Sequence, residues 1–209
     1  KGALIQVGHL ERFNSAVMAT EDIIRNPRFI ESHRLSIFKN RGTDVSVVLD
    51  LMIHDIDIIL NFVRSEVTGI HAAGIPVITE EIDIANARLE FANGCVANVT
   101  ASRISAKNQR KIRLFQADAY VSVDFASHEI TIINKNGPPQ EGELIPGMAI
   151  DQRCFTQGDA LDDELKAFID AVRHRRSPEV TGEMGRNALK VALSIMSQIE
   201  SSSARLLGN

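Results

Sequence analysis

The sequence predicts an α+β fold: a large, mixed, mostly antiparallel open sheet with helices packed on one face. Three observations predict it. Apolar and polar residues alternate through much of 67–133, the period of half-buried strands. Val45 to Val63 carries apolar residues at helical spacing, and two more helical stripes follow residue 160.

Taken in order, Ala3-Leu4-Ile5-Gln6-Val7-Gly8-His9 is a short apolar run that reads as a buried strand. Asn14 to Ile24 reads as a helix with Val17, Met18 and Ile24 as apolar contacts. Asn26-Pro27 stops it, because proline pushes the residue before it out of helical geometry. Phe29 to Phe38 reads as a strand. In the helix 45–63, Val48, Leu49, Met52, Ile56, Ile59, Leu60 and Val63 form a wide apolar face, and Asp50, His54, Asp55 and Asp57 are the polar residues of its middle turns.

The alternating runs Ala85, Ala87, Leu89, Phe91 and Cys95, Ala97, Val99, Ala101 flank Asn93-Gly94, a pair suited to the positive φ of a tight hairpin. Ile112 and Leu114, Val121 to Phe125, and Ile130 and Ile132 continue the pattern, with turns at Asp118 and Ser127-His128. The result is a meander of roughly five strands. One face meets a core; the other meets something more polar, or another subunit. Beyond the Gly/Pro-containing stretch Asn136 to Gly147, a helix buries Leu161, Leu165, Phe168 and Val172. A second turns Leu189, Ala192, Leu193 and Met196 inward, with Thr181 placed to cap it.

Composition narrows the function. A chain of 209 residues, 44% hydrophobic, can bury a full core. The net charge of −4, with acids and bases interspersed, argues against a nucleic-acid partner. The basic cluster Lys107, Arg110, Lys111, Arg113 reads as a solvated sheet edge. No apolar run reaches membrane-spanning length, no signal-peptide layout opens the chain, and Cys95 and Cys154 have no paired spacing; a cytoplasmic protein without membrane contact is expected.

Candidate chemistry concentrates on the 45–63 helix. Asp50 and His54 are four residues apart, so their side chains should leave one face one turn apart, with Asp57 pointing roughly the same way. A carboxylate beside a histidine orients the ring and makes it a usable general base near neutral pH. The same spacing also fits an ordinary ion pair. As metal ligands, Asp50, His54 and Asp57 lack a His or Cys cluster to complete a shell, so no metal is expected. Arg12 follows the opening strand and suits either a ligand carboxylate or phosphate, or an internal acid such as Glu11. Arg41 lies in the loop leading into the helix, where a ligand contact and a simple turn both fit.

Gly8-His9-Leu10-Glu11-Arg12-Phe13-Asn14 and Asp50-Leu51-Met52-Ile53-His54-Asp55-Ile56-Asp57, with the long meander and closing helix pair, resemble the Gfo/Idh/MocA oxidoreductases. Within the family the likeness is to nucleotide-sugar dehydrogenases of the UDP-N-acetylglucosamine type. The resemblance implies a C-terminal α+β domain that follows a Rossmann domain holding NAD or NADP. It implies catalytic roles for Asp50 and His54, with His54 removing a hydroxyl proton while hydride leaves the same carbon. It also implies sugar contacts from Arg12, Asn14, Arg41 and Asp57, and a homo-oligomer built through the open sheet face.

Neither Gly-x-Gly-x-x-Gly nor Glu-Lys-Pro occurs in the chain, and Ser15 stands where relatives often carry proline. Residues 1–10 are therefore expected to be a remnant of the last Rossmann strand and its connection, and 11–209 the substrate-binding and oligomerisation domain. Such a fragment would be inactive alone. The alternative is a stand-alone, non-catalytic sugar-binding or assembly module.

Overall fold

The computed structural model describes residues 2–138, 145–156 and 158–207. Its centre is a single eight-stranded sheet in the order β2-β3-β4-β1-β5-β6-β7-β8. β1 (Phe29–Leu35) is separated in sequence from its neighbours, yet lies between β4 (Val96–Ser102), to which it is parallel, and β5 (Gln109–Phe115). β2 (Val67–Ile75) and β3 (Ile84–Phe91) extend the sheet on one side; β6 (Ala119–Asp124), β7 (Glu129–Lys135) and β8 (Met148–Cys154) extend it on the other. All the other pairings are antiparallel. The mixed, mostly antiparallel sheet is the expected one.

Local chemistry explains the elements read correctly. At the β3–β4 hairpin Gly94 takes a φ of 82°, and the Asn93 side chain accepts from the Cys95 N–H. Cys95 packs as a buried apolar residue, and burial pushes its thiol up to about 11. Inner-face residues such as Ile30, Leu89, Val99, Ile112 and Leu114 pack with helices α2 (Ile53–Val63) and α4 (Gly182–Leu207) into one core. Thr181 Oγ1 accepts from the Met184 N–H at 3.2 Å, the expected cap of α4.

Several expectations are corrected. The opening run forms no strand among the described residues: Gln6 makes one bridge to Thr181, and Leu4 and Ile5 are exposed. It lies along α4 instead, where Gly185 leaves room for Val7; a Cβ there would come within 2.7 Å of that side chain. The helix expected over 14–24 is only α1 (Ser15–Met18), followed by turns; Val17 and Ile24 are buried but Met18 is exposed. The basic cluster is not on an edge. Arg110, Lys111 and Arg113 lie on β5, inside the sheet, with Arg113 paired to Glu31 at 2.7 Å.

β8 was not expected, and residues 139–144 of the Gly/Pro-containing stretch lie outside the described residues. The helices also turn differently. On α4, Ala188, Val191, Ala192, Ile195 and Ile199 face the core while Leu189 and Leu193 are exposed. On α3 (Ala160–His174) the stripe Leu161, Leu165, Ile169 and Val172 faces outward.

Candidate functional site

The predicted 45–63 helix exists, but it does not begin as an α-helix. Val48–Met52 is a π-helical turn that runs into α2. Ser46 starts it, its Oγ accepting from the Val48 N–H at 3.2 Å, and Val47 is tied to the β2–β3 loop by an N–H donated to the Ile82 carbonyl.

The predicted pair on this helix is Asp50 and His54. Asp50 is exposed and packs over the 41–45 loop: its carboxylate lies 3.4–3.5 Å from where a Gly42 Cβ would be. Among the described residues no hydrogen bond joins Asp50 to His54. Asp57 also has another partner, accepting from Arg12 Nε at 2.7 Å with both side chains buried. Arg12 thus takes the internal-acid option, though with Asp57 and not Glu11. Asn14 caps α1 through its Oδ1 and donates weakly to Glu11 and to the Phe125 carbonyl. Arg41 sits in an exposed bend whose side chain makes no polar contact among the described residues.

What surrounds His54 is a cluster that sequence reasoning missed. The ring stands edge-on to that of His9, centroids 6.0 Å apart. Next to it, Arg34 on β1 donates to Asp55 through Nε (3.1 Å) and Nη2 (2.8 Å), and to Glu11 through Nη1 (2.8 Å). The guanidinium lies 5.6 Å from the Phe125 ring centre, and Arg34 and Asp55 are both buried. Arg110 reaches Glu11 from the rim at 3.7 Å. Arg34 occupies the inner face of β1 beside Ile30 and Ser32, a charged residue in a core position. That parity was the signal available in the sequence: an arginine in phase with the apolar residues of a strand needs a buried acid.

The electrostatics follow from this packing. Burial disfavours the imidazolium of His54, and the charge of Arg34 and the His9 ring add to that, holding its pKa below 6.5 against the opposing pull of Glu11 and Asp55. Burial alone would raise Glu11, but Arg34 overrides it and lowers the carboxyl. His54 Nδ1 is buried without a hydrogen-bond partner, which leaves Nε2 as the nitrogen available to a ligand. The arrangement is a half-buried, neutral imidazole, held against a closed ion cluster and able to accept a proton.

The GFO/IDH/MocA C-terminal domain matches residues 16–132, more than half of the chain. The chain belongs to that family. As a GFO/IDH/MocA C-terminal domain it is 33% identical over 198 residues to the UDP-N-acetylglucosamine 3-dehydrogenase of Acidithiobacillus ferrooxidans, covering 94% of this chain and 63% of that protein. A solved structure of that enzyme superposes with a TM-score of 0.88 over 95% of this chain and 63% of the other.

The myo-inositol 2-dehydrogenase of Thermotoga maritima is 26% identical over 161 residues, 74% of this chain and 47% of its own length. The fold persists at 12% identity in an oxidoreductase domain protein from Kribbella flavida, with a TM-score of 0.86 over 96% of this chain and 65% of that one. The chain therefore spans less than two thirds of these relatives. Among the described residues, no helix of this GFO/IDH/MocA domain is long and apolar enough to cross a membrane.

Proposed function

We propose that the chain is the substrate-binding and oligomerisation domain of a cytoplasmic, NAD(P)-dependent dehydrogenase that oxidises a secondary hydroxyl of a nucleotide sugar. The observation that carries this reading is the 33% identity to a UDP-N-acetylglucosamine 3-dehydrogenase across 94% of the chain. His54, half-buried and with no hydrogen bond to Nε2 among the described residues, supports it chemically.

In this reading the substrate hydroxyl donates to His54 Nε2, and the imidazole takes its proton as the carbinol carbon is oxidised. A nicotinamide dinucleotide, when bound, supplies the hydride acceptor. The residues present offer a proton acceptor for the substrate hydroxyl but no glycine-rich cradle for the phosphates of such a cofactor. The dinucleotide is accordingly assigned to a separate Rossmann domain, and the chain alone is expected to be inactive. The outward apolar stripe on α3 and the exposed Leu4 and Ile5 support a docking surface for that domain. Asp50 and Arg41, exposed at the entry to the helix, are proposed to meet the sugar, whereas Arg12, Asn14 and Asp57 shape the site from beneath.

The outer face of the sheet supports the homo-oligomer. In register across six strands it carries Val96, Phe29, Phe115, Tyr120, Ile133 and Ile150, an apolar row facing away from the helices. Phe29, Phe115 and Tyr120 stack within it at 5.7 and 5.0 Å. The test is an assay of the full-length protein with NAD or NADP and a panel of nucleotide sugars and free sugars, following nicotinamide absorbance. Turnover confined to nucleotide sugars is expected; turnover of free polyols alone would contradict the substrate assignment.

A further inference from the structure

A buried ion pair adds little stability over apolar packing of the same volume. Yet here a guanidinium is shared between acids from two different segments, directly beside the one imidazole with an unpartnered buried nitrogen in the site. The charged and titratable groups that act on the ring come from three segments. His9 and Glu11 come from the segment around the turn Leu10–Phe13, Arg34 from β1, and Asp55 from α2 itself. Arg110 of β5 acts through Glu11, and Asp50 lies one π turn back, over Gly42.

We propose that Glu11, Arg34 and Asp55 form a positioning triad for His54, fixing the ring between residues 9–13 and α2 and setting the charge against which it takes up a proton. Arg34 is the hinge pin: Nη1 holds the 9–13 segment, and Nε and Nη2 hold the turn of α2 that carries His54. Glu11 is the adjustable member. Its side chain is only partly buried and is shared with Arg110 at the rim, so its charge can change without opening the core. The catalytic meaning of the triad rests on His54 being the proton acceptor; its effect on the ring does not.

The two are separated by titrating His54 in the full-length protein, by NMR of isotope-labelled histidine, with His54→Ala assigning the signal. Glu11 favours the imidazolium, so Glu11→Gln should lower the His54 midpoint by about half a unit, roughly threefold in proton affinity. Glu11→Asp should recover part of the shift, and the acid limb of the pH–rate profile should move to lower pH with it. Arg110→Gln, at an exposed cation, should move the midpoint the other way and serves if Glu11→Gln does not fold. A folded variant pair with the His54 midpoint unmoved would overturn the proposal and leave the triad a scaffold. That failure leaves the proposed reaction intact, whereas full turnover by His54→Ala removes the reaction and leaves the titration shift intact.

Discussion

Arg34 and Arg103 are both buried arginines paired with buried aspartates, and they do different work. Arg103 holds loops. Nη1 donates to the Gly42 carbonyl at 2.8 Å and Nη2 to the Val45 carbonyl, while its Nε stays 3.8 Å from Asp83. Asp83 in turn is consumed by backbone, accepting from the N–H groups of Val77, Ile78 and Thr79. Around Arg34 the acids are consumed by side chains, and a titratable ring stands beside them. The same ion pair is an anchor where the acid's lone pairs go to main chain, and a means of adjusting a neighbour where they go to a shared guanidinium.

The contrast can be broken from either side. The largest effect is expected for Arg34→Met, which leaves Glu11 and Asp55 buried or half-buried without a counter-ion. Urea denaturation should show a loss of about 3–5 kcal/mol. Arg103→Met removes the side-chain donors to the Gly42 and Val45 carbonyls and should cost less, about 1–3 kcal/mol. Equal losses would mean that Arg34 has no special electrostatic setting.

The acid limb of stability sharpens the comparison. Burial would raise Asp83, but the hydrogen bonds from Thr79, Val77 and Ile78 bring it down to about 2, from 3.8 when unperturbed. A carboxyl with a lowered folded-state pKa adds stability that is full above 3.8 and fades as the pH falls toward 2. Asp83→Asn should therefore begin less stable and lose less over that window. His54, lowered below 6.5, acts in the same direction at higher pH: the unfolded chain takes up its proton first, so acidification through 6.5 destabilises the fold. His54→Ala should flatten that limb and leave the Asp83 limb alone, as measured by denaturation at stepped pH.

The smallest effect is expected at Gly42. Its φ of 68° disfavours a side chain, and an alanine methyl would meet the Asp50 carboxylate at 3.4 Å. Gly42→Ala should cost about 1 kcal/mol. If Asp50 meets the sugar, KM should rise more than kcat falls.

Most of the sheet was legible because its signals are local. Asn93-Gly94 names a hairpin by turn chemistry, and alternation marks the strands on either side. Placing β1 between β4 and β5 was not legible, since that pairing joins segments far apart in the chain; hence the basic residues of β5 looked like an edge. β8 follows a Gly/Pro-containing stretch and is largely exposed, so it shows no clean alternation. On α4 Ala192 and Met196 lie inward as expected, but Leu189 and Leu193 are exposed and the smaller Ala188 takes a core position, which a reading by hydrophobicity does not favour.

At the site, the helix was legible and the π turn at its start was not. Nothing in Val48–Met52 announces a π turn, and nothing in the sequence places Asp50 over Gly42. Arg34 and Asp55 were hidden for a different reason: each is unremarkable alone and acquires meaning only when β1 passes beneath α2.

The most direct test of the central claim is turnover and stability of His54→Ala in the enzyme carrying its dinucleotide domain, measured on the same preparation. Loss of the proton acceptor should lower kcat by about 10²–10⁴-fold, with the urea midpoint close to wild type. Wild-type turnover in a folded His54→Ala protein would contradict the account, and a collapse of stability with turnover per folded molecule preserved would reduce His54 to a packing residue.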